Sequence, residues 1–163
     1  MPASSRLPSL GRRGEGWFAI QLALMVLAGL AALVDVYWPD SVASVFGILG
    51  LVLIAGGLVL FAVAGVSLLI ARAATAFPRP RSQSKLAQRG VYRIVRHPIY
   101  GALLLVAVGW SLAVAPLGLI PTLLLAVVFD LKARIEEAWL AEQHADYAAY
   151  RERTPRRFVP GFY

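Results

Sequence analysis

The run Gly90-Val91-Tyr92-Arg93-Ile94-Val95-Arg96-His97-Pro98-Ile99-Tyr100-Gly101 places one imidazole between two phenols, just before a long uncharged stretch. Pro98 holds His97 extended and suits the first turn of a helix, where its missing amide proton costs nothing. His97 therefore stands at a helix start, beside free amide protons and the positive end of the helix dipole, a place that favours an anionic or hydrogen-bond-accepting ligand group. Gly90 permits a sharp turn at positive φ. Taken singly, Tyr92 and Tyr100 fit interfacial aromatics at headgroup depth. With His97 they suggest a cup, whose electron-rich rings attract a sulfonium or ammonium group by about 0.5–2 kcal/mol per contact.

A second cluster, Lys132-Ala133-Arg134-Ile135-Glu136-Glu137, follows one helical hairpin later. Adjacent helical residues point about 100° apart, so Glu136 and Glu137 cannot enter one pocket in the same way and do not read as a paired acid and base. Asp130 with Arg134 and Arg134 with Glu137 also suit plain surface ion pairs, worth about 0.2–0.5 kcal/mol each. The chain has no cysteine and only two histidines, His97 and His144, which removes thiolate chemistry and argues against a metal centre.

The elements that position these clusters follow from composition. Of 163 residues, 59% are hydrophobic and 15% charged, which excludes a water-soluble globule. Three uncharged stretches, Trp17 to Val34, Ser41 to Ala71 and Pro98 to Phe129, are each long enough for a membrane-spanning helix. The first is too long for a signal-peptide core and lacks a small-residue cleavage site. The last contains Pro116, Gly118 and Pro121 and reads as a helical hairpin.

We therefore expect an all-α, polytopic membrane bundle of four transmembrane helices in a single domain, 1–163. Residues 1–16 form the N-terminus, 17–72 the first two helices, 73–97 a basic loop, and 98–163 the hairpin with a C-terminal amphipathic segment. The first helix is expected from about Trp17 to Tyr37, the second from about Val45 to Arg72, and the last from about Pro121 to near Tyr150. Ala28, Ala32, Gly56, Gly57, Gly65 and Gly101 are the small residues expected at helix contacts.

All Lys and Arg residues fall in three blocks, Arg6 to Arg13, Arg72 to Arg96 and Lys132 to Arg157. If basic segments stay inside, both termini are cytoplasmic and the crossings are even in number. The loop from Arg72 to Arg96 carries seven basic side chains and no acidic one. Part of that charge serves topology and attraction to anionic headgroups. Nucleic-acid binding is not expected, because the stripe abuts the membrane without a reading module. The aromatic tail through Tyr147, Tyr150, Phe158 and Pro160-Gly161-Phe162-Tyr163 is expected to fold back on the membrane surface or to lid a cavity.

Leu86, Gly90-Val91-Tyr92, Arg96-His97-Pro98-Ile99-Tyr100, and Arg134-Ile135-Glu136-Glu137 with Leu140, Tyr147, Tyr150 and Pro160 together resemble the isoprenylcysteine carboxyl methyltransferase family. That family is grouped with the phospholipid methyltransferases. The resemblance implies an integral membrane enzyme, in a bacterial inner membrane, that uses S-adenosyl-L-methionine and releases S-adenosyl-L-homocysteine. Carried over position by position, it implies cofactor contacts at Leu86, Ala87, Tyr92, His97, Pro98, Tyr100 and Glu136. It implies an acceptor-side cation at Arg134, or at Lys132 on the alternative spacing. An amine or hydroxyl acceptor would need Glu137 or His97 as base. The acceptor is expected to be lipid-like or a small amphiphile, with a prenylcysteine-type carboxylate among the options. The segment Glu142 to Asp146 departs from the family pattern. Two rival readings remain at this level: a non-catalytic binder of anionic lipid or a partner, and a membrane reductase using NADPH.

Overall fold

A run of apolar residues that must satisfy its own backbone in hydrocarbon forms a helix, and among the described residues the computed structural model shows four such helices and a short charged fifth. It describes residues 8, 10–73, 79 and 85–159. Helix α1 spans Glu15–Leu30, α2 Asp40–Ile70, α3 Pro98–Ala113, α4 Leu119–Gln143 and α5 Tyr147–Arg153. Among the described residues there is no strand. The first, second and fourth helices, with their flanking 3-10 turns, are long and apolar enough to cross a bilayer. α3 has sixteen residues, about 24 Å, and is the short member of the bundle.

Three helix ends differ from expectation. α1 stops at Leu30, turns once as a 3-10 segment over Ala31–Leu33, and gives way to extended chain. That extended chain is anchored by the Trp38 indole, which donates to the Leu112 carbonyl at 2.8 Å. α2 starts earlier, at Asp40, because Pro39 sets its N-cap and the carboxylate suits the positive helix end. α4 ends at Gln143, where His144 turns extended, so that α5 folds back instead of continuing the helix. The departure seen at Glu142 to Asp146 in the sequence is this break.

The helices pack antiparallel in the spatial order α1, α4, α3, α2. Gly50, Gly57 and Ala64 recur every seven residues as the buried seam of α2. A Cβ at Gly57 would lie 2.8 Å from the Ala102 carbonyl oxygen, and one at Gly109 would lie 2.6 Å from that of Gly50. Close backbone approach is how bilayer helices gain packing energy. Gly57 sits at such a contact as expected, whereas the close approach at Gly101 is to the Phe158 backbone of the C-terminal segment and not to another helix. Gly56 and Gly65 do not, since no atom lies within 4 Å of a Cβ built there, and Ala32 is exposed. α2 ends in a paired-carbonyl cap in which Ala73 N–H reaches Leu68 O and Arg72 N–H reaches Leu69 O, with Arg72 at φ 55.

Candidate active site

Local chemistry builds one wall from the loop. Gly90 adopts φ 61 and opens a 3-10 turn, Gly90–Arg93, that drops Tyr92 into the interior. His97 caps α3 with Pro98 behind it, as the sequence predicts. The segment after α5 straps this wall in place. His97 N–H donates to Arg157 O at 2.8 Å and Arg96 N–H to Arg156 O at 3.0 Å. The Tyr150 hydroxyl donates to Tyr92 O at 2.7 Å, and the Arg96 guanidinium to Thr154 O at 2.7 Å. The aromatic tail thus lids the loop as far as Phe158, whose ring meets those of His97 and Tyr100. Residues 160–163 lie outside the described residues.

The second wall comes from α4. Lys132, Glu136 and Leu140, one turn apart, all line a cavity of about 410 Å³. Leu86, Ala87, Tyr92, His97 and Tyr100 line it too. The Tyr100 hydroxyl donates to Glu136 Oε2 at 2.7 Å, and His97 Nδ1 stands 3.7 Å from the same oxygen. Tyr100 is stacked between His97, centroids 5.3 Å apart, and Phe129, 4.8 Å apart. Lys132 Nζ lies 4.9 Å from the Tyr100 ring centre and donates to Gln21 Oε1 of α1 at 2.5 Å.

Glu137 faces a different way, as the 100° helical step requires. Its Oε1 accepts from Arg96 Nε at 3.0 Å and Arg157 Nε at 3.0 Å, and lies 3.2 Å from His97 Nε2. Arg157 also donates to Asp130 at 2.9 Å, and Arg134 pairs with Asp130 at 2.7 Å. The Arg134 side chain is 53% exposed. Arg134 and Glu137, expected at the acceptor, therefore stand outside the cavity wall: one is a surface pair, the other the hub of a buried ion cluster. Pro98 is buried and does not line this cavity; it sets the helix start.

Burial, and after it the charge of Glu136, raises the Tyr92 phenol above the ordinary tyrosine range. Burial and then Glu137 raise Tyr147, and burial raises Tyr150 against the opposing pull of Arg96. These groups act as neutral phenols. The Tyr147 hydroxyl is buried with no hydrogen-bond partner. The cavity is walled by rings, the Glu136 carboxylate and the unspent Tyr147 phenol, together with the cationic side chains of Lys85, Arg96 and Lys132. Among the described residues no three metal-capable side chains cluster.

Sequence reasoning missed Gln21 as a wall residue, left Lys132 as an alternative, and placed Tyr147 and Tyr150 only in a tail that folds back or lids a cavity. Gln21 carried a signal, being the one carboxamide in the stretch Trp17 to Val34. Where Tyr147 and Tyr150 enter the wall depends on the break after Gln143.

The family model described as phospholipid methyltransferase matches residues 77–147, which bears out the resemblance read from the motifs. The matched segment runs from the loop through α3 and α4 to Tyr147 and holds Leu86, Tyr92, His97, Tyr100, Lys132 and Glu136. No curated protein matches the chain.

Proposed function

We propose, from the phospholipid methyltransferase character of residues 77–147, that this membrane protein transfers a methyl group from S-adenosylmethionine to an anionic amphiphile. The carrying observation is that Tyr92, His97, Tyr100 and Glu136, from three separate elements, line one cavity together with the buried cation Lys132. By the positive-inside tendency the loop end faces the cytoplasm, with both termini inside an inner membrane.

Bound there, S-adenosylmethionine supplies a methyl carbon already activated by positive sulfur. Glu136, fixed by Tyr100, holds the amino or ribose end of the ligand through its free carboxylate lone pairs. Tyr92 offers a ring face to positive charge, worth about 0.5–2 kcal/mol per contact, whereas the Tyr100 ring, stacked between His97 and Phe129, serves through its hydroxyl on Glu136. Lys132 orients the acceptor anion at the membrane-facing end of the α4 stripe. α1 and α2 pack on different partners, α4 and α3, and the cavity between them is lined by Leu22, Met25, Phe61 and Leu68. That apolar arm takes the acceptor's hydrocarbon. A carboxylate acceptor is already ionised near neutral pH, so alignment in a dry site suffices and no strong base is needed. Glu137, saturated by two guanidiniums, acts by holding His97 and the strap.

Incubating membranes that contain the protein with isotopically labelled methyl donor and analysing lipid extracts by mass spectrometry tests this reading. A labelled amphiphile, a neutral methyl ester where the acceptor is a carboxylate, that is absent from the Glu136→Ala control is expected. Identical label in both samples contradicts it.

A further inference from the structure

Three of the four phenols that line the cavity differ in how their hydroxyls are used. Tyr100 donates to Glu136 and Tyr150 to the Tyr92 carbonyl. Tyr147, only 2% exposed, lines the same cavity, and its hydroxyl has no hydrogen-bond partner among the described residues. Its ring is held edge-on to Tyr150 with centroids 6.0 Å apart, and Tyr150 is itself pinned to the loop. A buried polar group that is fixed and unpaired is costly, and such groups are retained where a ligand completes them.

We infer that the Tyr147 hydroxyl hydrogen-bonds the nucleoside end of the cofactor, an inference that rests on the methyltransferase reading above. The α4 stripe orders the cavity. Lys132 lies one turn on the membrane side of Glu136 and Leu140 one turn on the loop side, about 12 Å from end to end. The charged ends of donor and acceptor belong with Glu136, Arg96 and Lys132. The same cavity is lined by the apolar or aromatic side chains of Leu86, Ala87, Leu140 and Tyr150, and the charges of Glu137, Arg96 and Glu136 also reach Tyr147. An uncharged aromatic base with its ribose matches those side chains and completes the buried Tyr147 hydroxyl.

The test uses the full chain purified in detergent, as wild type and Tyr147→Phe. Calorimetry measures binding of S-adenosylhomocysteine and of 5′-methylthioadenosine, which keeps the nucleoside and lacks the amino-acid end. Tyr147→Phe is expected to weaken both ligands by the same factor, about tenfold, while the melting temperature without ligand stays level or rises. Unchanged affinity, or a loss confined to S-adenosylhomocysteine, overturns the inference. So does a ligand-free Tyr147→Phe that melts well below wild type, because the hydroxyl then has a partner within the protein. A wild type that binds neither ligand overturns the methyltransferase reading and this inference together, whereas a wild type that binds both with no effect of the substitution overturns this inference alone.

Discussion

The Tyr100 hydroxyl donates to Glu136 Oε2 at 2.7 Å and thereby ties the first turn of α3 to α4 across the cavity mouth. Both residues come from the motifs that first drew attention in the sequence, thirty-six positions apart. A hydrogen bond to a charged group is worth about 1.5–3 kcal/mol, enough to fix the carboxylate before any ligand arrives. Tyr100→Phe is expected to weaken S-adenosylhomocysteine about tenfold, and Glu136→Gln more. In a double-mutant cycle the two effects are expected to be less than additive. Additive losses, measured by calorimetry, would show that the pair does not act together.

Lys132 and Arg134 exchange the roles the sequence left open between them. Lys132 is buried against Gln21 and Tyr100, while Arg134 is a half-exposed partner of Asp130. Lys132→Met is expected to spare cofactor affinity and raise the acceptor KM tenfold or more. Arg134→Ala is expected to change activity less than twofold and stability by at most about 0.5 kcal/mol, since exposed pairs are screened. Steady-state kinetics with the acceptor found by labelling decides between them.

Glu137 joins Arg96, His97 and Arg157, so that one carboxylate fastens the loop and the strap to α4. Removing one partner of a buried ion pair leaves uncompensated charge and costs about 3–5 kcal/mol. Glu137→Ala is expected to lower the melting temperature markedly and to expose the chain beyond Arg153 to limited proteolysis. Wild-type resistance in that variant would place the strap under other control.

Tyr92, Tyr147 and Tyr150 are all raised above the usual phenol value, chiefly by burial. The folded chain then keeps protons that the unfolded chain releases. Their contribution to stability is complete below the ordinary tyrosine range near pH 10 and is lost as pH climbs from there toward the raised folded values. In a spectrophotometric titration, the phenolate absorbance of these three is expected to appear only with loss of helical circular dichroism. Ionisation near pH 10 in fully helical protein would contradict their burial.

Much of the site was legible because its logic is local. Gly90 at positive φ, Pro98 at a helix start and the angular step between Glu136 and Glu137 each follow from backbone geometry, and each is found. The four apolar segments were legible from length and charge. What stayed hidden depends on which faces meet. Sequence alone does not say that Gly50 and Gly109 rather than Gly56 and Gly65 lie on the α2 and α3 seam. Nor does it say that Arg157 returns to Glu137, or that the chain bends after Gln143 to bring Tyr147 over the cavity. The resemblance favours Arg134 over Lys132 because the family's acceptor-side arginine precedes the Glu-Glu pair, and the helical phase turns Arg134 outward.

Calorimetry of the detergent-solubilised protein with S-adenosylhomocysteine and, separately, NADPH tests the cavity assignment most directly. Saturable binding of S-adenosylhomocysteine, lost in a folded Glu136→Ala variant, with no heat from NADPH, is the expected result. Equal affinity for S-adenosylhomocysteine in wild type and Glu136→Ala, or binding of NADPH alone, would contradict it.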